Sequence, residues 1–266
     1  MDSGPAKTDI SILVYNTHGL PAVFSRDSPK KRFPKIGVLT QGFDLSLLQE
    51  DFAYHDFLLQ HLKNSTDIVR GATKDLPKCL VCSGSGLTFI SKLKKPNWKT
   101  SASFTPFDKC SGWLNRSNDC FAQKGFQLIF LESKGGHRIY IVNTHLDAGD
   151  NKADREARAS QLDKIALTLE AQTVGEALFV SGDLNLDWEN PEDNLLLHKF
   201  VNRLNLVLVQ KGGNASNGWK TLDYIYYRNG TDTYITDISS GEVDASTKEI
   251  GSLSDHPALF VNFRIQ

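Results

Sequence analysis

Carboxylates, carboxamides and imidazoles recur at the ends of apolar runs in this chain, and side chains of those types hold metal ions and move protons. Asn16 closes SILVYN, Glu50 closes LSLLQE, His145 closes YIVNTH, Asp183 and Asn185 follow LFVSG, and Asp223 lies within KTLDYIYY. SDHPAL then sets Asp255 and His256 just before the last apolar run. In an extended chain alternate side chains share a face, so Asp183 and Asn185 of VSGDLNLD are expected to project together while Leu184 points back. One polar strand ending is an ordinary loop-facing residue. Five of them beside an Asp-His pair predict strands that deliver side chains to a common rim.

The chemistry open to this set is narrow. It offers hard oxygens and neutral imidazoles but neither GxSxG nor a paired Cys and His, so no covalent nucleophile is indicated. Glu50 with further carboxylates and waters suits one or two Mg2+ ions, with Mn2+ or Ca2+ as substitutes. The economical scheme is in-line attack of water on phosphorus, with the cation neutralising charge on the phosphoryl oxygens. Neighbours in a strand face opposite ways, so Asp255 can hold His256 only in a turn, and Pro257 biases His256 to an extended backbone as the last strand begins. That pairing would fix the tautomer of a general base; the alternative is a His-Pro loop dipeptide beside an unrelated Asp.

The elements that must position these groups follow from periodicity. ISILVYN, FDLSLLQE, GLTFISK, FQLIFLE, RIYIVNTH, ALFVSGDLN, TLDYIYYRN, TYITDISS and PALFVNFRI read as strands, with Gly135 and Gly136 marking a hairpin. Helical spacing is expected from about Phe33 to Gly42, in FLLQHLKN, over Lys152–Gln172 with a stripe of Ala159, Leu162, Ile165, Ala166 and Leu169, and in PEDNLLLHKFVNRL. Runs of strands broken by a few helices predict an α/β fold in which two sheets pack face to face with helices outside, a four-layer sandwich. No repeat or linker divides residues 1–266, so one domain is expected.

A formal net charge of −1 excludes a global basic field for nucleic acid or an anionic membrane. PKKRFPK (Pro29 to Lys35) and KLKK (Lys92 to Lys95) are expected to be solvated loops. No apolar run reaches the ~18–20 residues of a spanning helix, and MDSGPAKTDI lacks the apolar core of a signal peptide. Trp98, Trp113 and Trp188 are isolated aromatics, expected to be structural. Cys79, Cys82, Cys110 and Cys120 cluster in one third of the chain; two disulfides or four thiols fit better than zinc, because no second close pair follows KCLVC. With sequons at Asn64, Asn115, Asn214 and Asn229, they favour a secreted or extracellular protein, with the cytoplasm as alternative.

VYNTHG, LLQED, GSGLTFIS, VNTHLDAGD, SGDLNLD, TLDYIYY and SDHPAL, in that order and over nearly the whole chain, resemble the endonuclease/exonuclease/phosphatase superfamily, which has the fold of deoxyribonuclease I. The resemblance implies a four-layer αββα sandwich with two mostly antiparallel central sheets and a Mg2+-dependent phosphodiesterase site where their strand ends meet. Carried over by position, Glu50 would be the principal metal ligand with Asn16 beside it, His256 the base and Asp255 its orienting partner. His145 and Asn185 would contact the scissile phosphate, Asp183 would orient the water or support a second metal, and Asp223 would position His145 or phosphate.

Within SNDCFAQKGFQ, Asp119, Ala122, Lys124 and Gly125 resemble the Asp-x-x-Ala-x-Lys-Gly element of neutral sphingomyelinases, in which the lysine approaches the substrate phosphate. GSGLTFISK and the helix carrying Arg158, Gln161 and Leu162 resemble the same branch, which implies a monomer acting on a phospholipid headgroup. That branch carries a Trp-Asp element where this chain has SNGWKTLDY, so a deoxyribonuclease-like endonuclease is the alternative substrate class. TLDYIYY lacks the Trp-Cys-Asp-Arg pattern of inositol polyphosphate 5-phosphatases, and basic DNA-gripping loops of an abasic-site repair enzyme are missing. A catalytically silent binding module would have lost a central residue, yet Glu50, His145, Asp183, Asn185, Asp255 and His256 are all present.

Overall fold

The first strand already shows how the layers are divided. Ile10, Ile12 and Val14 enter one core and Leu13 and Tyr15 another, so alternation along nine residues buries both faces. A computed structural model describes residues 8–20, 28–62, 67–73, 84–94, 97–112, 119–213 and 220–266. Its strands are β1 (Thr8–Asn16), β2 (Leu45–Gln49), β3 (Asp67–Arg70), β4 (Thr88–Ser91), β5 (Trp98–Pro106), β6 (Gly125–Ser133) and β7 (Arg138–His145). They continue with β8 (Ala177–Asp183), β9 (Val207–Lys211), β10 (Asp223–Arg228), β11 (Ile235–Val243), β12 (Ser246–Thr247), β13 (Gly251–Ser252) and β14 (Ala258–Ile265). The helices are α1 (Pro29–Thr40), α2 (His55–Leu59), α3 (Lys152–Gln172) and α4 (Pro191–Arg203).

Two six-stranded sheets form, in the orders β11-β14-β1-β2-β4-β3 and β5-β6-β7-β8-β10-β9. An apolar layer that includes Ile12, Phe89, Ile141, Phe179 and Phe263 lies between them. Phe33, Ile36 and Leu58 of α1 and α2 pack on the outer face of the first sheet, and Leu162, Ile165, Leu169 and Phe200 of α3 and α4 on that of the second. The expected αββα sandwich is therefore present.

Each sheet has one parallel pair at its centre, β1 with β2 and β7 with β8, and the other ladders are antiparallel. Parallel neighbours finish at the same end, so Asn16 stands opposite Gln49, just before Glu50, and His145 opposite Asp183. Antiparallel β10 starts where β8 stops, pairing Asp223 with Asp183, and β14 begins where β1 ends. Gly182 has φ +134, and a Cβ there would lie 2.0 Å from the Thr144 carbonyl oxygen, so only glycine lets β8 pass β7 before Asp183.

A chain of buried amides joins the sheets beneath these ends. Gln49 Nε2 donates to Asn143 Oδ1 at 2.7 Å, Asn143 Nδ2 to Gln127 Oε1 at 2.9 Å, and Gln127 Nε2 to the Val69 carbonyl at 2.9 Å. These amide donors are satisfied only when β2, β3, β6 and β7 face one another in this register.

Several expectations change. PKKRFPK is the start of α1 and not a solvated loop: Pro29 occupies a first-turn position that needs no N–H partner, and Arg32 and Phe33 are buried. FLLQHLKN contributes only to the five-residue α2. On α3 the buried stripe uses Ala157, with half-buried Ala159 displaced, and includes Arg158 and Gln161. β3, β5 and β9, which periodicity did not show, are all edge strands that bury little of their surface. Cys110 and Cys120 form a disulfide, which removes the four-thiol reading, while Cys79 and Cys82 lie outside the described residues. So do Trp113, Asn64, Asn115, Asn214, Trp219 and Lys95; Trp98 is buried and Trp188 half-buried.

Replacing Asn143 by Leu strands the Gln49 and Gln127 amides, which costs about 2 kcal/mol and lowers the thermal midpoint by roughly 5 °C. A calorimetric scan reads this; an unchanged midpoint would remove the amide chain from the account of how the sheets are held.

Candidate active site

The rim where both parallel pairs end is built from unusual backbone as well as from side chains. His18, Glu50 and Asn185 adopt φ of +48, +54 and +50, a left-handed conformation uncommon for residues other than glycine. Each is held by hydrogen bonds. Gly19 N donates to Glu50 O at 3.0 Å, and Asp51 N to Gly86 O at 2.8 Å. Asp51 Oδ2 in turn takes Thr88 Oγ1 at 2.7 Å and faces His55 Nδ1 at 2.5 Å, which anchors the turn that carries Glu50. Beyond β8 the chain is not extended: Asn185 N donates to Asp183 Oδ1 at 2.9 Å in a tight turn. Asn185 thus reaches the site through that turn, not through strand alternation, and its Nδ2 donates to Leu146 O at 3.0 Å.

Six side chains from both sheets converge. Asn16 Nδ2 lies 2.9 Å from Asp183 Oδ2, 3.3 Å from Glu50 Oε1 and 3.5 Å from His256 Nε2. His145 Nε2 is 3.6 Å from Asp183 Oδ2 and 3.9 Å from Glu50 Oε1. His256 Nδ1 is 2.8 Å from Asp223 Oδ2, and its Nε2 is 3.7 Å from Asp183 Oδ2. Asp223, expected on His145 or phosphate, is therefore the partner of His256. Asp255, expected in that role, points the other way and meets His18 Nδ1 at 3.2 Å. Adjacency in sequence was the wrong guide, because Asp223 sits at the start of β10, which lies beside β8 at this rim.

Asn16, expected beside Glu50 as a metal ligand, lies against Glu50 and Asp183. Its Oδ1 accepts the His18 N–H at 3.0 Å, which turns the amide nitrogen, a donor, toward the carboxylates. Lys124, expected to reach substrate phosphate, is buried with its ammonium 2.6 Å from Asp119 Oδ1, 2.6 Å from Leu146 O and 3.3 Å from His145 Nε2. Those three contacts take up its three protons. His18 and Asp119 belong to the site although the sequence reading gave neither a role; THGL looked like a turn, and the Asp-x-x-Ala-x-Lys-Gly spacing was the available signal for Asp119.

The two imidazoles are driven apart electrically. Burial, then the Lys124 ammonium and His256, hold His145 well below the ordinary histidine value, so it stays neutral. Burial alone would pull His256 down as well, but Asp223, Asp183 and Asp255 outweigh it and hold His256 well above that value. Burial and the neighbouring carboxylates push the Asp223 carboxyl up to about 6 against the pull of His256, so at neutral pH the pair is imidazolium and carboxylate. Glu50 is raised by burial, opposed by His256 and His18.

A cation fits these residues. Glu50 Oε2 is buried and accepts no hydrogen bond, which suits a hard oxygen ligand awaiting an ion. The ligand-capable atoms of Asp183, Asp223 and His256 also lie within 4.8 Å of one another. Two of those three groups are already engaged in the 2.8 Å hydrogen bond, so Glu50 is the stronger anchor.

Comparison with known proteins agrees with this architecture. Residues 60–212 match the profile of Endonuclease/Exonuclease/phosphatase family 2, and the chain belongs to that family. It is 27% identical over 270 residues to a sphingomyelinase of Mycobacterium bovis, a match that covers 96% of this chain and 52% of the relative. The chain thus spans about half the length of the curated relatives it matches. Sphingomyelinase C from Streptomyces griseocarneus superposes with a TM-score of 0.72 at 19% identity, over 96% of this chain and 99% of that one. Beta toxin from Staphylococcus aureus with bound magnesium ions gives 0.70 at 19% identity, over 96% and 99% of the two chains. Both share the fold.

Replacing Asp223 by Asn takes away the carboxylate that most raises His256, so its imidazole titrates at lower pH than in the parent chain. NMR titration of the imidazole resonances measures the shift; a His256 value that stays put would mean that Asp223 is not its electrostatic partner.

Proposed function

We propose that this chain is a divalent-metal-dependent phosphoric diester hydrolase, and that its substrate is the phosphodiester of a phospholipid headgroup, with sphingomyelin the favoured substrate. The observation that carries the reading is the convergence of Glu50, Asp183, Asn16, His145 and the Asp223–His256 pair at one rim, from both sheets. Family membership and likeness to sphingomyelinases support the substrate class.

Glu50 would hold the ion, with Asp183 close by; Mg2+ is the favoured ion, in keeping with the oxygen donors here and the magnesium in beta toxin. When bound, it would neutralise charge on the phosphoryl oxygens. The chain's own groups do the rest. Asp223 Oδ2 holds His256 Nδ1, which leaves Nε2 facing Asp183 and Asn16 as the atom that takes a proton from water. Asp183 and the Asn16 amide orient that water. His145, kept neutral, and Asn185 contact the phosphate, and Lys124 supports His145 from behind while adding positive charge. Opposite displacement of the two imidazoles separates their roles, one exchanging a proton and the other staying neutral beside the phosphate.

Because His256 is protonated at neutral pH without an ion, kcat/KM rises with pH as that proton leaves. His256→Ala removes the base and lowers kcat by about 10³-fold. Sphingomyelin micelles and plasmid DNA, each assayed with Mg2+ and with chelator, test the substrate: phosphocholine release without nicking is expected. Nicking alone would overturn the lipid reading in favour of an endonuclease, and unchanged turnover in His256→Ala would overturn the mechanism.

A further inference from the structure

His18 belongs to the site but takes no part in the chemistry described so far, yet much of the site is arranged around it. Its backbone is held from several sides. Arg32, buried on α1, donates from Nη2 to His18 O at 2.9 Å and from Nη1 to Thr17 O at 2.9 Å and Leu253 O at 2.6 Å. Its own N–H goes to Asn16 Oδ1, and the next residue, Gly19, bonds to Glu50 O. A Cβ at Gly19 would come within 2.3 Å of that same oxygen, so the His18 loop and the Glu50 turn are in close backbone contact. A left-handed histidine persists only where its surroundings over-determine it, and such residues concentrate where geometry serves a function.

The side chain is aimed accordingly. His18 Nδ1 stands 3.7 Å from Glu50 Oε2, the buried oxygen that accepts no hydrogen bond, and 3.2 Å from Asp255 Oδ2. Adjacent ligand atoms of an octahedral ion, each about 2.1 Å from it, are roughly 3 Å apart. The observed 3.7 Å exceeds that by a shift within reach of side-chain torsion, so an ion on Glu50 Oε2 reaches the imidazole nitrogen once the two side chains close on it. Asp255 Oδ2 faces the same nitrogen, so ligation there requires the ring proton to be on Nε2, with Asp255 left to accept from water on the ion. The three side chains are 25%, 14% and 35% exposed, which leaves a hydrated ion a way in.

We propose that His18 is a nitrogen ligand to the cation held by Glu50, and that it tilts the site's preference from Mg2+ toward borderline ions such as Mn2+ and Co2+. Imidazole binds ions later in the first transition row more strongly, whereas Mg2+ demands oxygen and keeps its waters. The inference rests on the metal-dependent reading of this site and refines its choice of Mg2+ by adding a nitrogen donor to the oxygen ligands counted there. If His18 were only an ionic bridge between Glu50 and Asp255, removing it would affect every divalent ion alike.

The test compares the full chain with His18→Asn, chosen because asparagine tolerates positive φ, after a thermal melt shows that both are folded. Calorimetric titration with Mg2+, Mn2+ and Co2+ gives three affinities for each protein, and pulsed EPR of the Mn2+ form reads coupling to imidazole nitrogen. The variant is expected to lose about tenfold or more in affinity for Mn2+ and Co2+, to change by less than about twofold for Mg2+, and to lose nitrogen coupling. Equal weakening for all three ions, or unchanged coupling, overturns the ligand role and leaves the metal-dependent reading standing. Failure of the parent chain to bind any of them overturns that reading first. Should His18→Asn not fold, His18→Gln is measured in the same way with the same two outcomes.

Discussion

The amide chain from Gln49 through Asn143 to Gln127 is the interaction on which the rest of this structure depends. An apolar layer between two sheets is non-directional and would tolerate sliding, because one aliphatic contact replaces another at little cost. Buried carboxamides do not tolerate it, since each unmade hydrogen bond costs more than a made one returns. Gln49 immediately precedes Glu50 and Asn143 lies two residues before His145, so fixing the amides fixes the distance between a carboxylate of one sheet and an imidazole of the other. The site is an outcome of sheet registration before it is an outcome of any loop.

A second layer of control is local. Glu50 and Asn185 leave their strands in left-handed conformations that strand geometry alone would not supply, and His18 does so two residues past the end of β1. The conformational cost is offset by bonds from neighbouring turns and from Arg32, a buried cation that gathers three backbone carbonyls. Burial then does electrical work. His145, wrapped by Lys124 and the protein interior, remains neutral, while His256, ringed by carboxylates, is pulled toward its charged form. Two residues of one chemical type thereby become suited to different tasks, as the proposed hydrolysis requires.

The fold was legible wherever a strand or helix buries a whole face. β1, β7, β8, β10 and α3 were evident because strands buried on both faces read as continuous apolar runs and the helix carries period 3.6. β3, β5 and β9 were not, because edge strands meet solvent and carry the polar composition of loops. PKKRFPK misled for a related reason: its charge suggested solvent, but Arg32 is satisfied by backbone carbonyls supplied from residues distant in sequence. The pattern of apolar runs predicts the sandwich and the set of strand ends without the family resemblance, and the two sheets and the likeness to sphingomyelinase C bear out the fold.

The sequence by itself determined which groups would be present at the rim, since Asn16, Glu50, His145, Asp183, Asp223 and His256 close or open strands whose apolar bodies admit few other placements. It did not determine who pairs with whom. Asp255 lost His256 to Asp223, Asn16 became a donor, Lys124 spent its protons on Asp119, Leu146 and His145, and His18 came to face Glu50. Hydrogen bonds and charges act over a few ångströms in space, whereas chain adjacency fixes only where neighbouring backbones begin. Strand pairing across 33 or more residues brings the decisive partners together, so only the tertiary structure could choose among them.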